Sequence, residues 1–547
     1  MKKFSFLNKH FFIILISILV FPTFLRMLRP GIFSMQDFHY FRLFEFDKCI
    51  ADLQIPCRWS QDVGLGFGEP LFNFYGQLSY VFGEVLRLAN FSLINSLKIV
   101  FILSLILSAV SMYFLAKDIW EDNLSALVSS ILYVYAPYRA VDVWVRGALP
   151  ESVSFVFYPL IILFFEKYLK TNKKTNLLLF GLLVSLLILN HNLSFVLFLP
   201  FLVIWVVYRI ISLKKWKNIG NLLIVTILSL GIVAFYVFPV INETKYVTLE
   251  NTIQGYFDFR GHFAGVKQLL FSTNWGYGAS VFGPKDDLNI SIGFLQWIVP
   301  FVSLLLITIT RKTKYYREFF VLLLISLVFV FLINNKSIFV WDSLPQMAYI
   351  QFPWRFLGVL VFSLSLAAGA GMKVIPEKFK LMFCTIIIIV SIALNFSNFR
   401  PDIWYNYTDT DLTQGKLLNE QMAASIGDYW PKTSEKIATN LVENETREYK
   451  LILQKSNMSV FEIKYDQKQV SLPVNYFPGW QAYSDNGMRL ETKVGDNGLI
   501  KVINPTTKVH LKFENTKVRQ ISNIISFISV IVFLLIFTKY KLYEKNK

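Results

Sequence analysis

The sequence predicts a mainly α-helical, polytopic membrane protein with about 12 transmembrane helices and a small extracellular β-sandwich domain near the C-terminus. Three observations predict this fold. Of the 547 residues, 54% are apolar and only 17% are charged, whereas soluble chains carry about 25% charged residues. Apolar runs recur along most of the chain, and near the C-terminus they give way to alternating apolar and polar residues. A soluble core or a disordered chain is therefore excluded.

Twelve apolar segments approach the length of about 20 residues that a helix needs to cross a bilayer. They are residues 11–24, 94–115, 124–135, 153–165, 177–189, 193–211, 222–241, 292–310, 319–333, 356–370, 381–396 and 521–537. The two shortest, 124–135 and 153–165, also fit buried or re-entrant helices. The first segment is interpreted as an uncleaved span, because no small-residue cleavage site follows it.

The net charge of +17 is mainly a topology signal. Seven short segments on one side of the predicted spans contain 23 Lys and Arg, whereas the much longer loops on the other side contain 13. Positive charge marks the cytoplasmic side. We therefore expect a multi-pass protein of the cell membrane with both termini in the cytoplasm and the C-terminal β-domain outside. No basic patch with stacking aromatics indicates a nucleic-acid partner.

Composition divides the chain into four predicted parts. Residues 1–396 form a polytopic membrane domain with a long first outer loop (26–93), and residues 397–440 form an outer connecting segment. Residues 441–515 alternate with period two around two Asp-Asn-Gly turns, which predicts an extracellular β-sandwich. Residues 521–547 are the final transmembrane helix and a cytoplasmic tail.

The first outer loop has unusual features. Ser34 and Asp37 have capping-box spacing, and the alternating aromatic and polar residues that follow predict an amphipathic helix on the membrane surface. Cys49 and Cys57 lie eight residues apart on the side where a disulfide can form, and the sequence leaves open whether they pair.

Known enzyme signatures are mostly absent, and the sequence has no GxxxxGK(S/T) phosphate-binding loop, no HExxH and no GxSxG. The three Cys and five His show no metal-ligand spacing. No cofactor is predicted. The sequence neither indicates nor excludes a divalent metal.

Polar residues instead cluster at the predicted outer ends of helices, while the span interiors hold almost no charge. Ionisable groups at one membrane face predict a site at the outer leaflet. The candidate residues are Asp37, His39, Arg146, Glu151, His191, Asn192, Trp354 and Arg355.

Each candidate also has a structural interpretation. Asp37 would close the capping box, and Glu151 would favour the start of its helix through the helix dipole. Both arginines would bind lipid phosphates or cap helix ends. His191 and Asn192 would satisfy a tight turn between helices. Trp354, like Trp59 and Trp144, would belong to an interfacial aromatic belt.

The order of motifs resembles that of GT-C-type membrane glycosyltransferases, and more closely the bacterial "6-pyruvoyl-tetrahydropterin synthase-related" membrane family. The matching stretches are Asp37-Phe-His39, Ile55-Pro56-Cys-Arg58-Trp59, Phe74-Tyr75, Arg146-Gly147-Ala-Leu-Pro-Glu151, His191-Asn192, Gln351-Phe-Pro-Trp354-Arg355 and Tyr476-Phe-Pro478-Gly479-Trp480. Pterin-synthase chemistry itself needs clustered zinc-binding histidines, which this chain lacks.

The resemblance implies transfer of a sugar from a polyprenyl-phosphate donor to a cell-envelope glycan or lipid acceptor. It implies that Asp37 is the catalytic base, although the second acid of many members is replaced here by Phe38. Arg146 and Arg355 would bind the donor phosphate together with the substrate-binding residues His191, Asn192 and Trp354. Glu151 and His39 would be a second acid and an orienting group. Trp480 or Tyr483 would offer a sugar-stacking surface, unless Trp480 lies in the domain core.

Two other functions stay open at this point. A lipid-linked glycan transporter or flippase needs polar groups or broken helices near the membrane midplane, and the sequence shows few. A non-catalytic envelope glycan assembly protein would keep the architecture without the chemistry, and the missing second acid favours it somewhat.

Overall fold

The structure is a computed structural model that describes residues 2–33, 38–281, 286–310, 316–424, 429–434, 440–495 and 497–545, with the backbone alone for residues 2–9. It is mainly helical, as predicted. The first twelve α-helices are α1 (Lys2–Val20), α2 (His39–Ala51), α3 (Leu71–Phe74), α4 (Leu78–Leu88), α5 (Leu93–Trp120), α6 (Asn123–Val134), α7 (Pro137–Ala140), α8 (Leu149–Thr171), α9 (Lys174–Asn190), α10 (Asn192–Ser212), α11 (Ile219–Ile232) and α12 (Ala234–Glu243).

The remaining α-helices follow the fourth outer loop and the later spans. They are α13 (Val266–Phe271), α14 (Phe294–Thr310), α15 (Tyr316–Ile333), α16 (Ile338–Ser343), α17 (Leu357–Gly371), α18 (Glu377–Asn395), α19 (Asp409–Thr413), α20 (Gly415–Ala424) and α21 (Lys517–Lys545).

Each of the twelve predicted spans coincides with helix. Within the described residues, seven helices are long and apolar enough to cross a membrane, namely α5, α8, α10, α15, α17 with its preceding turn, α18 and α21. The bent pair α11–α12 adds an eighth, and α1, α6, α9 and α14 are shorter apolar helices. Helix α17 is almost completely buried at the centre, between α6, α14 and α15.

One predicted span, residues 222–241, is not a single helix. Helices α11 and α12 meet at Val233 with a bend of 72°. The backbone near the break finds partners elsewhere. Ser526 Oγ accepts from Phe235 N at 2.8 Å, and Arg58 donates at 3.0 Å to Phe235 O, whose helical partner would be Pro239, which has no N–H. A helix can break within a membrane protein where neighbouring side chains satisfy its backbone in this way.

The amphipathic surface helix is α4 rather than the helix that follows Asp37, so this prediction was wrong. Helix α2 is packed into the core, with His39, Tyr40 and Glu45 all buried. Helix α4 instead exposes an apolar face, formed by Val81, Phe82, Val85 and Leu88. The predicted Ser34–Asp37 capping box lies outside the described residues.

A disulfide joins Cys49 and Cys57 and closes the loop after α2. Inside this loop Gln54 Oε1 accepts from the backbone N–H groups of Arg58, at 2.6 Å, and Trp59, at 2.8 Å. The third cysteine, Cys384, is a buried free thiol. The disulfide and the Gln54 clamp together fix where the Arg58 and Trp59 side chains lie.

The described residues of the C-terminal region form eight strands, in agreement with the predicted fold class. They are β1 (Tyr449–Lys455), β2 (Met458–Ile463), β3 (Gln469–Asn475), β4 (Trp480–Ser484), β5 (Arg489–Leu490), β6 (Thr492–Val494), β7 (Leu499–Ile503) and β8 (Lys508–Phe513). Five strands form one antiparallel sheet in the order β1-β2-β8-β4-β5, and three form a second in the order β3-β7-β6. Buried residues of both sheets share one apolar core.

This β-domain is locked to the first outer loop. The Trp59 ring packs edge-to-face on Trp480, with centroids 5.3 Å apart, and lies 5.4 Å from the Phe513 ring. The backbone N–H of Asn475 donates to Phe67 O at 2.9 Å, and its side-chain amide donates to Gly68 O at 2.8 Å. Residues more than 400 apart in sequence therefore share one packed interface.

A buried ionic network connects the same parts to the membrane helices. Glu243, at the end of α12, accepts from Arg519 Nε at 3.0 Å and from Asn73 Nδ2 at 2.9 Å. Arg58 donates to Asn73 Oδ1 at 2.8 Å and to Asn523 Oδ1 at 3.0 Å. Because these charges are buried, their mutual pairing holds α12, α21 and the first outer loop in one arrangement.

Candidate membrane-surface charge cluster

A cluster of charged side chains lies where α8, α9, α10 and α17 end or begin, on the face that carries the first outer loop. The second outer loop supplies part of it through one wide helical turn, Val141–Val145, which is a π-helix. In this turn Val141 O accepts from Arg146 N at 2.9 Å, and Asp142 O accepts from Ala148 N at 2.9 Å. Single π-turns are frequent at functional sites.

The π-turn places Asp142 between two arginines. Its carboxylate lies 3.3 Å from Arg139 Nη1 and 3.4 Å from Arg146 Nη1. Arg139 and Asp142 are fully buried, and the Arg139 guanidinium lies 3.9 Å from the centre of the Phe155 ring. Burial lowers the pKa of Arg139, while Asp142 beside it opposes that shift. Asp142 therefore balances the buried arginine and orients Arg146.

Glu151, in the first turn of α8, is the centre of the cluster. Its Oε2 accepts from Arg146 Nη1 at 2.7 Å, and its Oε1 accepts from the Tyr138 hydroxyl at 2.5 Å. Burial raises the pKa of Tyr138 well above its usual range, so this hydroxyl stays protonated and donates. Two donors on a buried carboxylate describe an ionised acceptor that holds Arg146 and Tyr138 in place.

Trp354 and Arg355, at the start of the tenth predicted span, join the cluster from the far side. Arg146 lies 5.1 Å from the centre of the Trp354 ring, and Arg355 lies close enough to interact electrostatically with Glu151. Arg355 Nη1 donates to Gln351 Oε1 and to Ile350 O, both at 2.9 Å. The arginine is therefore anchored beside the carboxylate by its own turn.

Trp354 is buried and does not belong to an interfacial belt, nor do Trp59 and Trp144. Its indole N–H donates to Ser280 Oγ at 3.1 Å, and the same hydroxyl pairs with His262 Nδ1 at 2.7 Å. The fourth outer loop is thereby fixed to the edge of the cluster.

His39 connects the first outer loop to the start of α8. Its Nε2 accepts from the Leu149 backbone N–H at 3.1 Å, and its Nδ1 pairs with the Tyr80 hydroxyl at 2.7 Å. Accepting from an N–H requires an unprotonated Nε2, so the neutral ring carries its proton on Nδ1 and donates to Tyr80. Leu149 is two residues from Glu151, which brings His39 to the edge of the cluster. This geometry favours an orienting role for His39.

The turn between α9 and α10 contributes His191 and Asn190. His191 Nδ1 pairs with Ser194 Oγ at 2.7 Å, and the ring interacts electrostatically with Glu151. Asn192 accepts from the N–H of its neighbour Leu193 at 2.8 Å, which is a local helix-start contact. Asn190, missed in the sequence, is fully buried and donates to Pro150 O at 2.6 Å while accepting from Ser79 Oγ at 2.5 Å.

The structure thus brings Arg146, Glu151, His191, Trp354 and Arg355 together, with His39 at the margin. Asp37, the predicted base, lies outside the described residues. Sequence reasoning missed Tyr138, Arg139 and Asp142. A polar Tyr-Arg pair and an aspartate between apolar residues were the signal that could have found them.

Two further expectations concern metals and sugar stacking. In the described part of the chain, no group of three or more His, Cys, Asp or Glu is arranged to hold a metal ion. Trp480 is buried against Trp59, so its predicted role as a sugar-stacking surface is wrong and its alternative as domain core is right. Tyr483 lies on β4 in the five-stranded sheet, with its hydroxyl donating to Glu514 at 2.7 Å.

The apolar helices and the fold define a polytopic membrane protein. Comparison with protein families shows which family it belongs to, because residues 50–424 match the model of the family described as "Bacterial membrane protein YfhO". The chain belongs to this family. The resemblance to pterin-synthase-related membrane proteins stays a prediction.

A curated relative is an uncharacterised protein of Lactococcus lactis subsp. cremoris (strain MG1363), which is 23% identical over 255 residues. The match covers 45% of this chain and 41% of that relative. Among solved structures, the arabinofuranosyltransferase AftD from mycobacteria matches 72% of this chain and 27% of its own, with a TM-score of 0.43 and 13% identity. Similarity at this level assigns neither a substrate nor a role to any residue.

Proposed function

We propose that this protein is a GT-C-like glycosyltransferase, which transfers a sugar from a polyprenyl-phosphate donor to a cell-envelope glycan or lipid at the outer face of the membrane. The observation that carries the proposal is the convergence of Arg146, Arg355 and His191 on the buried Glu151. These residues come from loops far apart in the chain. A shared cluster of charged groups at one membrane face is what a reaction on a lipid-anchored substrate requires.

The two arginines are the proposed partners of the donor phosphate. A phosphate that leaves with the glycosidic electron pair accumulates negative charge, and guanidinium groups stabilise that charge in the transition state. Glu151 and Gln351 orient Arg146 and Arg355 before substrate arrives, because each already holds its arginine at hydrogen-bond distance. The apolar faces of the surrounding helices would receive the prenyl tail.

The proposed base is Asp37. It precedes His39 by two residues, and His39 contacts Leu149, two residues before Glu151. Asp37 would take the proton from the acceptor hydroxyl as that oxygen attacks the anomeric carbon and the phosphate departs on the opposite side. One displacement of this kind inverts the configuration of the sugar. The orientation of both termini to the cytoplasm and of the β-domain to the outside belongs to the same proposal.

The test compares Asp37→Asn with Asp47→Asn, an isosteric change in the same outer loop whose carboxylate lies 3.4 Å from Arg87, interacts with Glu84 and stands outside the charge cluster. A positioned base contributes about 10²- to 10⁴-fold to rate. We therefore expect Asp37→Asn to lose the envelope glycan that wild type restores to a deletion strain, whereas Asp47→Asn restores it. Full activity of Asp37→Asn at normal protein level would remove Asp37 from the mechanism.

Purified protein in vesicles separates this function from the two others. With a panel of polyprenyl-phosphate sugars and acceptors, the proposal predicts sugar transfer without net movement of the donor between leaflets. Translocation without transfer would instead indicate a flippase, a function that the break at Val233 supports. Binding without turnover across the panel would indicate an assembly protein.

A further inference from the structure

A groove on the fourth outer loop lies apart from the residues of the charge cluster. Its volume is about 500 Å³, within the range of small-molecule sites. Helix α13 forms one wall and the loop after α15 forms the other. Its polar lining residues are Lys267, Gln268, Ser272, Thr273, Asn274 and Asn335.

Both walls are fixed to the ends of membrane helices. The backbone N–H of Ala264 donates to Ile333 O, the last residue of α15, at 3.0 Å. The Trp297 indole of α14 donates to Leu270 O at 3.0 Å. The groove therefore lies at the depth where α14 and α15 meet the outer loop, and its shape is set by the membrane helices.

The lining has the chemistry of a phosphate site. Lys267 is the only charged residue among the lining side chains, and it forms no ion pair or hydrogen bond with any described residue. The amides and hydroxyls around it supply neutral donors for phosphate and glycerol oxygens. A single positive charge without an acidic partner in the lining favours an anion.

The surroundings of the groove are apolar and exposed. Val266 and Phe271 on α13 and Phe294 at the start of α14 each expose about half of their surface. Exposed side chains of this size next to a polar groove are typical of a membrane surface, where acyl chains cover the apolar groups. A soluble sugar would leave them in water, so this observation favours a lipid.

We propose that the groove binds the phosphate headgroup of an anionic membrane phospholipid, with Lys267 as its charge partner and the acyl chains over Phe271 and Phe294. This site is separate from the proposed donor site and does not rest on the proposed glycosyltransferase activity. Its occupancy would hold the fourth outer loop, and through Ser280 the Trp354 edge of the charge cluster, against the membrane.

The test measures retention of phosphatidylglycerol by full-length protein in detergent micelles, using native mass spectrometry. Lys267→Gln is compared with Lys336→Gln, an exposed lysine next to Asn335 that does not line the groove. One basic side chain near a membrane surface contributes about 1 kcal/mol, so Lys267→Gln should weaken apparent affinity about fivefold. Lys336→Gln should bind like wild type.

A second variant fills the groove without changing its charge. Thr273→Trp should lose phosphatidylglycerol while keeping the wild-type elution profile. If Lys267→Gln fails to fold, this variant alone tests whether the groove binds the lipid. Equal retention by Lys267→Gln, Thr273→Trp and wild type would overturn the proposal. Displacement of the lipid by millimolar inorganic phosphate would indicate a free-phosphate site, and displacement by maltotriose a glycan site, and either result would overturn the lipid assignment.

Discussion

At the scale of single residues, burial decides what the ionisable side chains do. Glu151 and Asp142 are buried beside arginines. Glu151 orients Arg146, and Asp142 lies between Arg139 and Arg146. Tyr138 completes the arrangement by donating to Glu151. A carboxylate held by two donors is a poor proton acceptor, which is a further reason to assign the base to Asp37.

Glu84, on the inner side of α4, predicts a pH effect on stability. Burial and then the like charge of Asp47 raise its pKa to about 7, against the opposing charge of Arg87. Between about pH 4.5 and pH 7 the folded state therefore holds a proton that the unfolded chain has lost, and stability falls as pH rises through this window. The slope contributed by one group is at most about 1.4 kcal/mol per pH unit.

Glu84→Gln removes this effect, because the amide stays neutral at every pH. We expect the wild-type melting temperature in detergent to fall more between pH 5 and pH 8 than that of Glu84→Gln. Glu420→Gln, whose side chain is about half exposed, is the matched control and should follow wild type. Identical pH profiles for wild type and Glu84→Gln would contradict the prediction.

The residues of the cluster could be predicted from sequence only where a polar side chain interrupts an apolar pattern. Arg146, Glu151 and Arg355 stood out in this way. Asn190 did not, because its neighbours His191 and Asn192 looked equally polar, and only the fold shows that Asn190 faces Pro150 and Ser79. Whether an asparagine is buried between helices or only contacts the start of its own helix depends on its neighbours in the fold. Spacing along the sequence does not reveal those neighbours.

At the scale of elements, apolar runs located the helices because length and hydrophobicity are local properties. The break at Val233 was missed, since Ser526, which accepts from the freed Phe235 N–H, lies far away in sequence. The position of α2 was misjudged for a similar reason. Its Lys48 pairs with Glu45 and Asp62, and the buried Glu45 accepts from the Asp62 backbone N–H, so an alternating pattern that resembled a surface helix belongs to a packed one.

The link between α12 and α21 predicts a large effect of one substitution. Arg519 is fully buried against Glu243, so Arg519→Met leaves a buried carboxylate without its charge partner. Loss of one partner of such a pair costs about 3–5 kcal/mol. We expect a sharply lower temperature at which half of the protein in detergent remains monodisperse after heating.

The double variant Glu243→Gln with Arg519→Met should recover part of that loss, because the carboxylate left unpaired by Arg519→Met is then neutral, while the buried Arg58 of the same network keeps its charge. Arg489→Met, at an exposed arginine of β5, should have little effect. A loss in the double variant that equals or exceeds that of Arg519→Met would contradict this account of the link.

At the scale of the whole molecule, the β-domain, the first outer loop and the charge cluster share one side of the helices. Contacts of Trp59 with Trp480 and of His39 with Leu149 place them there. The charge bias of the loops predicts that this side faces outward. This orientation stays a prediction, drawn from a charge bias summed over many residues, whereas the docking of the β-domain depends on individual ring contacts that the sequence does not reveal.

Cysteine labelling tests the orientation. Cys384 is buried and the other two cysteines are paired, so single added thiols can be followed in the native chain. We expect a membrane-impermeant maleimide to label Lys493→Cys on the β-domain in intact cells, and Lys215→Cys between α10 and α11 only after lysis. The reverse pattern would invert the topology, and equal labelling of both before lysis would indicate leaky cells or a wrong assignment.

The Glu243–Arg519 link also bears on how the protein is made. The ribosome delivers Glu243 276 residues before Arg519, so the carboxylate is inserted near the membrane surface while its cationic partner has not yet been synthesised. The architecture closes only when the last helix enters the bilayer. A truncated translation product would lack the Arg519 partner of Glu243 and would leave the Trp59 ring without its contacts to Trp480 and Phe513.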